Sequence, residues 1–194
     1  MQISDISTSD GLRFLHSSTS PGGSFLIAWE DGDGNGLGGA RSSGKGRYWL
    51  FRDGKEIIKG RLERPNRGSV SDSGNFCIED WLFTDELKSM FHCYASDGGQ
   101  LIKKRLRANL ADSLISPSGK YALCYTAASK DEKHSSKLSL FDLTSGQEIW
   151  SVPPPFWPDK YIFSENDKAL TIRPTERQWI YESCTYALVP PKAA

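Results

Sequence analysis

Ser116-Pro117-Ser118-Gly119-Lys120-Tyr121-Ala122 is a turn of small polar residues followed by an apolar run. The same pattern occurs twice upstream, as Ser20-Pro21-Gly22-Gly23-Ser24-Phe25-Leu26 and as Ser71-Asp72-Ser73-Gly74-Asn75-Phe76-Cys77. A Ser/Asp/Gly turn that leads into an apolar run indicates the start of a β-strand. Recurrence at a period of about 45 residues predicts an array of similar β-sheets, one for each repeat.

A second pattern follows each copy, and its Gly-containing turns are typical of β-hairpins. Its three occurrences are Leu50-Phe51-Arg52-Asp53-Gly54, Cys93-Tyr94-Ala95-Ser96-Asp97-Gly98 and Leu140-Phe141-Asp142-Leu143-Thr144-Ser145-Gly146. Each repeat is therefore predicted to contain four strands, a to d. The b strands, at 25–29, 76–81 and 121–125, are apolar on both faces, which is typical of strands covered on both sides. The sequence predicts an all-β fold, a β-propeller-like array of about four four-stranded antiparallel blades, either a small closed ring or an open arc.

The 194 residues suit a single domain. The predicted units are 16–64, 65–108, 109–154 and 155–189, and residues 1–15 are expected to supply strands that complete the last unit. The fourth unit is degenerate, with strand c expected at 178–181 and a last short strand within 183–189.

The third repeat resembles a WD40-type blade. The similarity rests on Ile115-Ser116-Pro117-Ser118-Gly119-Lys120-Tyr121 and on the second pattern of that repeat, where Phe141-Asp142 takes the place of the family's frequent Trp-Asp pair. The other repeats have Phe51-Arg52 and Tyr94-Ala95 there, and the family's Gly-His pair is missing throughout. The resemblance covers roughly residues 16 to 182. It implies a scaffold that binds protein partners.

Composition narrows the class of protein. The 24 basic and 24 acidic residues give a formal net charge of zero, which argues against broad binding of nucleic acid or of an anionic membrane. No apolar run is long enough to span a membrane, and the N-terminus lacks the features of a signal peptide, so a cytoplasmic location is expected. Cys77 and Cys124 fall in apolar strands, where they are expected to be small buried side chains.

The predicted binding face carries the b–c loops, because two of these loops are long and both leave the array on one side. Aromatic and acidic residues stand at their roots and form the expected partner contacts, since Trp and Tyr bury large areas at interfaces. The predicted partner-binding residues are Trp29, Glu30, Asp31, Asp80, Trp81 and Tyr125. The alternative is that these aromatic rings pack between neighbouring sheets.

Two further features leave alternatives open. Asp31, Asp33 and Asn35 match the opening of a calcium-binding loop over 31–42, but Ser42 stands where the loop needs a bidentate acid, so a flexible Gly-rich loop is the alternative. Basic residues recur along the predicted outer strands, where they could touch phosphates or guard an open sheet edge. This basic strip comprises Lys59, Arg61, Arg64, Arg67, Lys103, Arg105 and Arg107.

The sequence shows no catalytic triad, metal-ligand set or cofactor-binding motif. The predicted function is therefore a non-enzymatic module that binds another protein, as an adaptor or an inhibitor of immunity type. The alternative is a small-ligand or calcium-dependent binding module, or a hydrolase that uses Asp31, Asp33, Glu79 and Asp80 at the ring mouth. A homodimer that completes a larger ring is a third possibility.

Overall fold

The computed structural model of the chain describes residues 2–32, 45–82, 87–165, 167–174 and 182–188. These residues form four antiparallel sheets with strands in sequence order. The first sheet contains β1 (Gln2–Thr8), β2 (Gly11–Thr19), β3 (Phe25–Glu30), β4 (Gly46–Arg52) and β5 (Lys55–Leu62). The second contains β6 (Pro65–Val70), β7 (Phe76–Trp81), β8 (Ser89–Tyr94) and β9 (Gln100–Leu106). The third contains β10 (Leu110–Ile115), β11 (Tyr121–Thr126), β12 (Leu138–Asp142) and β13 (Gln147–Val152). The fourth contains β14 (Pro158–Phe163), β15 (Ala169–Pro174) and β16 (Cys184–Ala187).

The all-β fold class is thus confirmed. None of the described residues forms a helix that is long and apolar enough to cross a membrane.

A serine opens the same turn in every sheet, and we call Ser20, Ser71, Ser116 and Ser164 the turn serines. The backbone carbonyl of each turn serine accepts a hydrogen bond from the N–H of the residue three places later, at 2.9–3.0 Å. That residue has positive φ each time, which favours glycine because it has no side chain to clash. The four donors are Gly23, Gly74, Gly119 and Asp167. The repeated turn seen in the sequence therefore occupies equivalent places in successive sheets.

Hydrogen bonds join these turns from one sheet to the next. The N–H of Gly22 donates to the carboxylate of Asp72 at 2.6 Å, and the N–H of Asp72 donates to the carbonyl of Pro117 at 2.9 Å. The hydroxyl of Ser118 bonds the carboxylate of Asp167 in the fourth sheet. The turns form a continuous chain of contacts at one end of the array, which fixes the order of the sheets.

The hairpins between strands c and d also repeat. Each carries a register shift in the ladder, at Leu50/Phe51, Cys93/Tyr94 and Leu140/Phe141. Each shift falls just before Phe51, Tyr94 or Phe141, which agrees with the prediction that these three residues hold corresponding positions in their repeats.

Hydrophobic clusters lie between neighbouring sheets. The first and second sheets enclose Phe25, Ile27, Trp29, Phe76 and Ile78 among other side chains. The second and third enclose a cluster that includes the three buried free cysteines, and the third and fourth enclose a cluster around Leu123, Leu140 and Leu170. The b strands are buried on both faces, as the sequence predicted, because each inner sheet has a neighbour on either side.

The first 15 residues do not join the last sheet. They form β1 and part of β2, which pair with each other, and β2 pairs with β3 of the first sheet. The tip of this hairpin reaches the fifth strand, because the N–H of Ser9 donates to Glu56 at 2.7 Å and the ammonium of Lys59 contacts Asp10 at 2.5 Å. The hairpin therefore crosses the free face of the first sheet, where a cluster around Leu15, Ala28, Trp49 and Phe51 is buried.

The physical reason is local. Strands joined by a two-residue turn pair at a small entropic cost, whereas pairing with the distant last sheet would close a loop of nearly the whole chain. The four sheets do not close into a ring. The predicted strand at 178–181 lies outside the described residues, and in the described part of the fourth sheet β16 is the strand that pairs with β15.

Candidate functional site

Trp29, Glu79 and Tyr125 hold the same place in the second strands of their sheets. Each lies four residues after the residue whose carbonyl accepts the N–H of a turn serine, namely Phe25, Asn75 and Tyr121. Trp29 and Tyr125 fill hydrophobic clusters between sheets at this place. The second sheet instead places a carboxylic acid there, between itself and the third sheet.

Glu79 is completely buried, and neither carboxylate oxygen has a hydrogen bond of good geometry among the described residues, although the side chains of Ser113 and Asn66 lie near enough to interact with it. Burial raises the pKa of its carboxyl to about 7, and the nearby side chains of Ser113 and Asn66 and the charge of Arg67 oppose this rise only in part. The buried hydroxyls of Ser113 and Tyr161 likewise make no hydrogen bond of good geometry in the described part of the chain. A buried polar group without a partner is costly, so a group of them at one place needs an explanation.

Arg67 and Asp112 complete this group, which we call the central polar cluster: Arg67, Glu79, Asp112, Ser113 and Tyr161. Arg67 lies opposite Glu79 in the β6–β7 ladder, and its guanidinium forms an ion pair with Asp112 of the third sheet. Burial raises the pKa of Asp112, and the charge of Arg67 opposes that rise. Burial also raises the pKa of Tyr161, whose hydroxyl feels the charges of Asp112 and Glu79.

Register shifts in the first strands position the cluster. They fall at Pro65/Arg67 in β6, at Leu110/Asp112 in β10 and at Pro158/Lys160 in β14. Such bulges redirect side chains, and they are frequent next to binding sites. The first strands of the second, third and fourth sheets thus each carry a register shift near their start.

The cluster has a solvent-facing side. The side chains of Arg67 and Asp112 are 37% and 20% exposed. Trp157 is half exposed, and its ring meets Tyr125 edge-on with 5.2 Å between ring centroids. Because Tyr125 is the ladder partner of Asp112, this indole lies at the same end of the sheets as the ion pair.

The predicted partner-binding aromatics are not on the surface. Trp29 and Tyr125 are buried between sheets, and the indole N–H of Trp29 donates to the carbonyl of Asn66 at 3.0 Å. Trp81 is partly buried against the cluster between the second and third sheets, with the guanidinium of Arg64 above its ring. This is the arrangement that the alternative interpretation described. Whether these residues contribute to partner binding stays a prediction.

The acidic members of that prediction are engaged within the chain. Glu30 is buried and pairs with Arg13 at 3.2 Å and with Arg47 at 2.6 Å. Asp31 faces Arg64 at 3.6 Å. Asp80 accepts the backbone N–H of Arg64 at 2.6 Å, which ties the start of the second sheet to its second strand.

The proposed calcium site is only partly visible. Asp33 and Asn35 lie outside the described residues. Among the residues that are described, no group of three His, Cys, Asp or Glu side chains could hold a metal ion. Calcium binding by the loop over 31–42 stays a prediction.

Comparison with known proteins places the fold. No protein-family model matches the chain, and no curated protein matches its sequence significantly. A periplasmic gluconolactonase of Pseudomonas aeruginosa, PpgL, aligns with 99% of this chain and 69% of its own, at 14% identity and a TM-score of 0.51. Hsv2 of Kluyveromyces marxianus aligns with 94% of this chain at 6% identity and a TM-score of 0.53. The chain spans about half (49%) of that Hsv2 structure.

These likenesses show a β-propeller-type fold. They also correct one prediction. A non-enzymatic module was predicted because the sequence shows no catalytic motif. The gluconolactonase is an enzyme, and it aligns with nearly the whole of this chain, so ruling out an enzyme from fold and motif is wrong. At such low identity the likeness extends to the fold alone. Neither protein tests the resemblance to WD40 repeats, which stays a prediction.

Proposed function

We propose that this protein is a small-ligand-binding module whose site is the central polar cluster. One observation carries the proposal: Glu79, Ser113 and Tyr161 bring together buried polar atoms whose hydrogen bonds are not filled with good geometry, beside the Arg67–Asp112 ion pair. A ligand that filled their hydrogen bonds would remove the free-energy cost of burying them unpaired.

The mixture of groups indicates the chemistry of the ligand. Glu79 offers acceptors when ionised, Arg67 offers donors, and the hydroxyls of Ser113 and Tyr161 can do either. A hydroxyl group on the ligand can also donate and accept, so a small polyhydroxylated molecule suits this set. Trp157 adds an exposed aromatic face on which the apolar side of such a molecule can lie.

Access requires a movement, because Glu79 is completely buried. The Arg67–Asp112 pair is the exposed part of the cluster, and its opening would admit a ligand. A carboxyl with a pKa of about 7 can also exchange a proton near neutral pH, which is what acid–base chemistry on a bound ligand requires.

The test is a titration with a panel of neutral polyols and D-glucono-1,5-lactone, followed by melting temperature. We expect at least one probe to raise the melting temperature of the wild-type protein. Tyr161→Phe should weaken that probe about tenfold, which corresponds to one lost hydrogen bond of about 1.4 kcal/mol. Tyr186→Phe, in the same sheet, is the matched control and should bind normally.

Two results would contradict the proposal. Either no probe binds, or a probe binds equally well to Tyr161→Phe and to Ser113→Ala. Hydrolysis of the lactone can be measured by the protons that it releases at constant pH. If the wild-type protein hydrolyses the lactone and Glu79→Gln does not, the proposal extends from binding to catalysis.

A further inference from the structure

A cleft of about 830 Å³ lies between the second and third sheets, and none of its described lining residues belongs to the central polar cluster. Its walls are the end of β9, the residues just before β8 and the loop that joins β11 to β12. Seven described residues line it, of which four are basic and one is acidic. We call it the basic cleft: Leu87, Lys88, Arg105, Arg107, Ser129, Lys130 and Asp131.

The basic strip predicted from the sequence divides in the structure. Lys59 pairs with Asp10, Arg64 with Asp31, and Arg67 with Asp112. Arg105 and Arg107 instead line the basic cleft. In the part of the chain that the structure describes, neither Arg105 nor Lys130 forms an ion pair within 4 Å.

The single described acid of the cleft is already engaged. One oxygen of Asp131 accepts hydrogen bonds from the backbone N–H of His134 at 3.1 Å and from its ring nitrogen at 2.9 Å. The other oxygen faces Arg107 at 3.6 Å. Asp131 thus holds the guanidinium of Arg107 at the edge of the cleft without neutralising Arg105 or Lys130.

The loop wall is held in place by its own hydrogen bonds. The N–H of Lys137 donates to the hydroxyl of Thr126 at 2.9 Å, and the N–H of Ser136 donates to the carbonyl of Ala127 at 3.2 Å. The N–H of Ser129 donates to the hydroxyl of Ser135 at 3.0 Å. A wall fixed in this way lowers the entropy that a ligand must remove when it binds.

A second, smaller cleft of about 280 Å³ lies on the other side of the same loop. It adds Lys104, Lys133 and Lys137, with Glu148 as its acid, and Glu148 pairs with Lys104 at 3.0 Å. The described linings of the two clefts contain seven basic residues and two acids, and Glu132 is a third acid in the same loop, so basic charge is in excess around this loop in a chain whose net charge is zero. A region of one sign within a concave surface concentrates ligands of the opposite sign.

We propose that the basic cleft is a second site, which binds a small phosphorylated molecule. Two guanidinium groups favour phosphoryl oxygens, which they can contact in pairs, and the lysines add charge. The volume of the cleft suits a metabolite-sized ligand, whereas a nucleic-acid backbone usually needs an extended groove. This site is independent of the proposed function of the central polar cluster.

The experiment is calorimetric titration of the full chain with inorganic pyrophosphate at constant ionic strength. Arg105→Ala and Arg107→Ala should each weaken binding about tenfold or more, as expected for a lost charged hydrogen bond. The matched control is Arg61→Ala, since Arg61 occupies in β5 the place that Arg105 occupies in β9 of the second sheet. Arg61→Ala should change the affinity less than twofold.

Three outcomes would overturn the proposal. Arg61→Ala could weaken binding as much as Arg105→Ala, which would mean general charge attraction. Duplex RNA or DNA could bind tighter than pyrophosphate at 0.15 M salt and lose affinity in Arg105→Ala, which would mean a nucleic-acid surface. Asp85 and Glu86 precede Leu87 in the sequence and lie outside the described residues, so binding that occurs only in an Asp85→Asn, Glu86→Gln variant would mean that the chain's own acids fill the cleft.

Discussion

The interface between the first and second sheets and the interface between the second and third are built to the same plan, but the second has a carboxyl group at a position where the first has an indole ring. Trp29 fills that position in the first interface, with its indole N–H bonded to Asn66. Glu79 fills it in the second, without a hydrogen-bond partner among the described residues. The comparison teaches that a repeated fold reveals a candidate site where one repeat puts a polar group in a place that the others use for packing.

Hydrogen bonds between turns offset the cost of burying Glu79 in the second interface, and they lie at the end of the sheets where the turn serines are. Asp72 donates its N–H to Pro117, and the side-chain amide of Asn75 donates to the carbonyl of Gly119 at 3.0 Å. Three free cysteines, two phenylalanines and several aliphatic side chains pack between these turns and the central polar cluster. Packing and turn contacts thus hold the two sheets together although Glu79 opposes their contact.

The largest effect on stability should come from removing Trp29, the side chain that packs at this position in the first interface. Trp29→Ala deletes a completely buried indole and should lower the free energy of unfolding by about 3 to 5 kcal/mol. Chemical denaturation measures this loss of stability, with far-ultraviolet circular dichroism as the signal because it reports the backbone and not the deleted tryptophan. Trp157→Ala is the control, and it should cost less than about 1 kcal/mol because that indole is half exposed.

Replacing Glu79, the polar residue at this position, should raise the stability instead of lowering it. Glu79→Gln removes a buried group that ionises above a pKa of about 7, so the variant should be more stable than the wild type at pH 8.5. The folded protein holds this proton more tightly than the unfolded chain, whose carboxyl has a pKa of 4.5. Wild-type stability should therefore fall as pH rises from about 4.5 to 7, by about 3 kcal/mol in total.

Denaturant titrations at a series of pH values test this slope. Glu148→Gln is the control, since Glu148 is partly exposed and paired with Lys104 on the outer strands. It should leave the pH dependence unchanged. A wild-type stability whose change between pH 5 and 7 equals that of Glu79→Gln would refute the assignment of a high pKa to Glu79.

The smallest effect concerns the turn that fastens the second interface. Gly119 has φ of +76°, and a Cβ there would lie 2.1 Å from the hydroxyl oxygen of Ser73. Gly119→Ala should cost about 2 kcal/mol, from backbone strain and displacement of the neighbouring turn. At Gly11 the φ is also positive but a Cβ would meet nothing within 4 Å. Gly11→Ala should therefore cost less than Gly119→Ala, and equal costs would mean that the contact between turns contributes nothing.

Much of the fold could be predicted from the sequence because it repeats. The bounds of β7 and β11 agree with the predicted b strands to within one residue, since turn chemistry and apolar runs are local signals. The position of the N-terminal hairpin could not be predicted in this way. Its contacts with Glu56 and Lys59 join segments nearly 50 residues apart, and no periodicity encodes them.

The candidate site was harder to predict. Glu79 was named only among several acids at the ring mouth, and Asp31 and Asp80 proved to be held by Arg64 and by backbone N–H groups. Glu79 and Asp80 both lie inside an apolar run that is buried on both faces, and only the structure separates them, because Asp80 accepts the backbone N–H of Arg64. Arg67 comes from the neighbouring strand of the same sheet, and Asp112 and Tyr161 come from the third and fourth sheets, so only the register of three first strands brings them together.

The most direct test is a carbon-13 titration of the glutamate carboxyl groups by nuclear magnetic resonance, with Glu79→Gln to assign the signal. The account predicts one glutamate with a midpoint near pH 7, and this signal should be missing in the variant. A Glu79 signal with an ordinary midpoint near 4.5 would contradict it, because the carboxyl would then be solvated or paired rather than buried alone between two sheets.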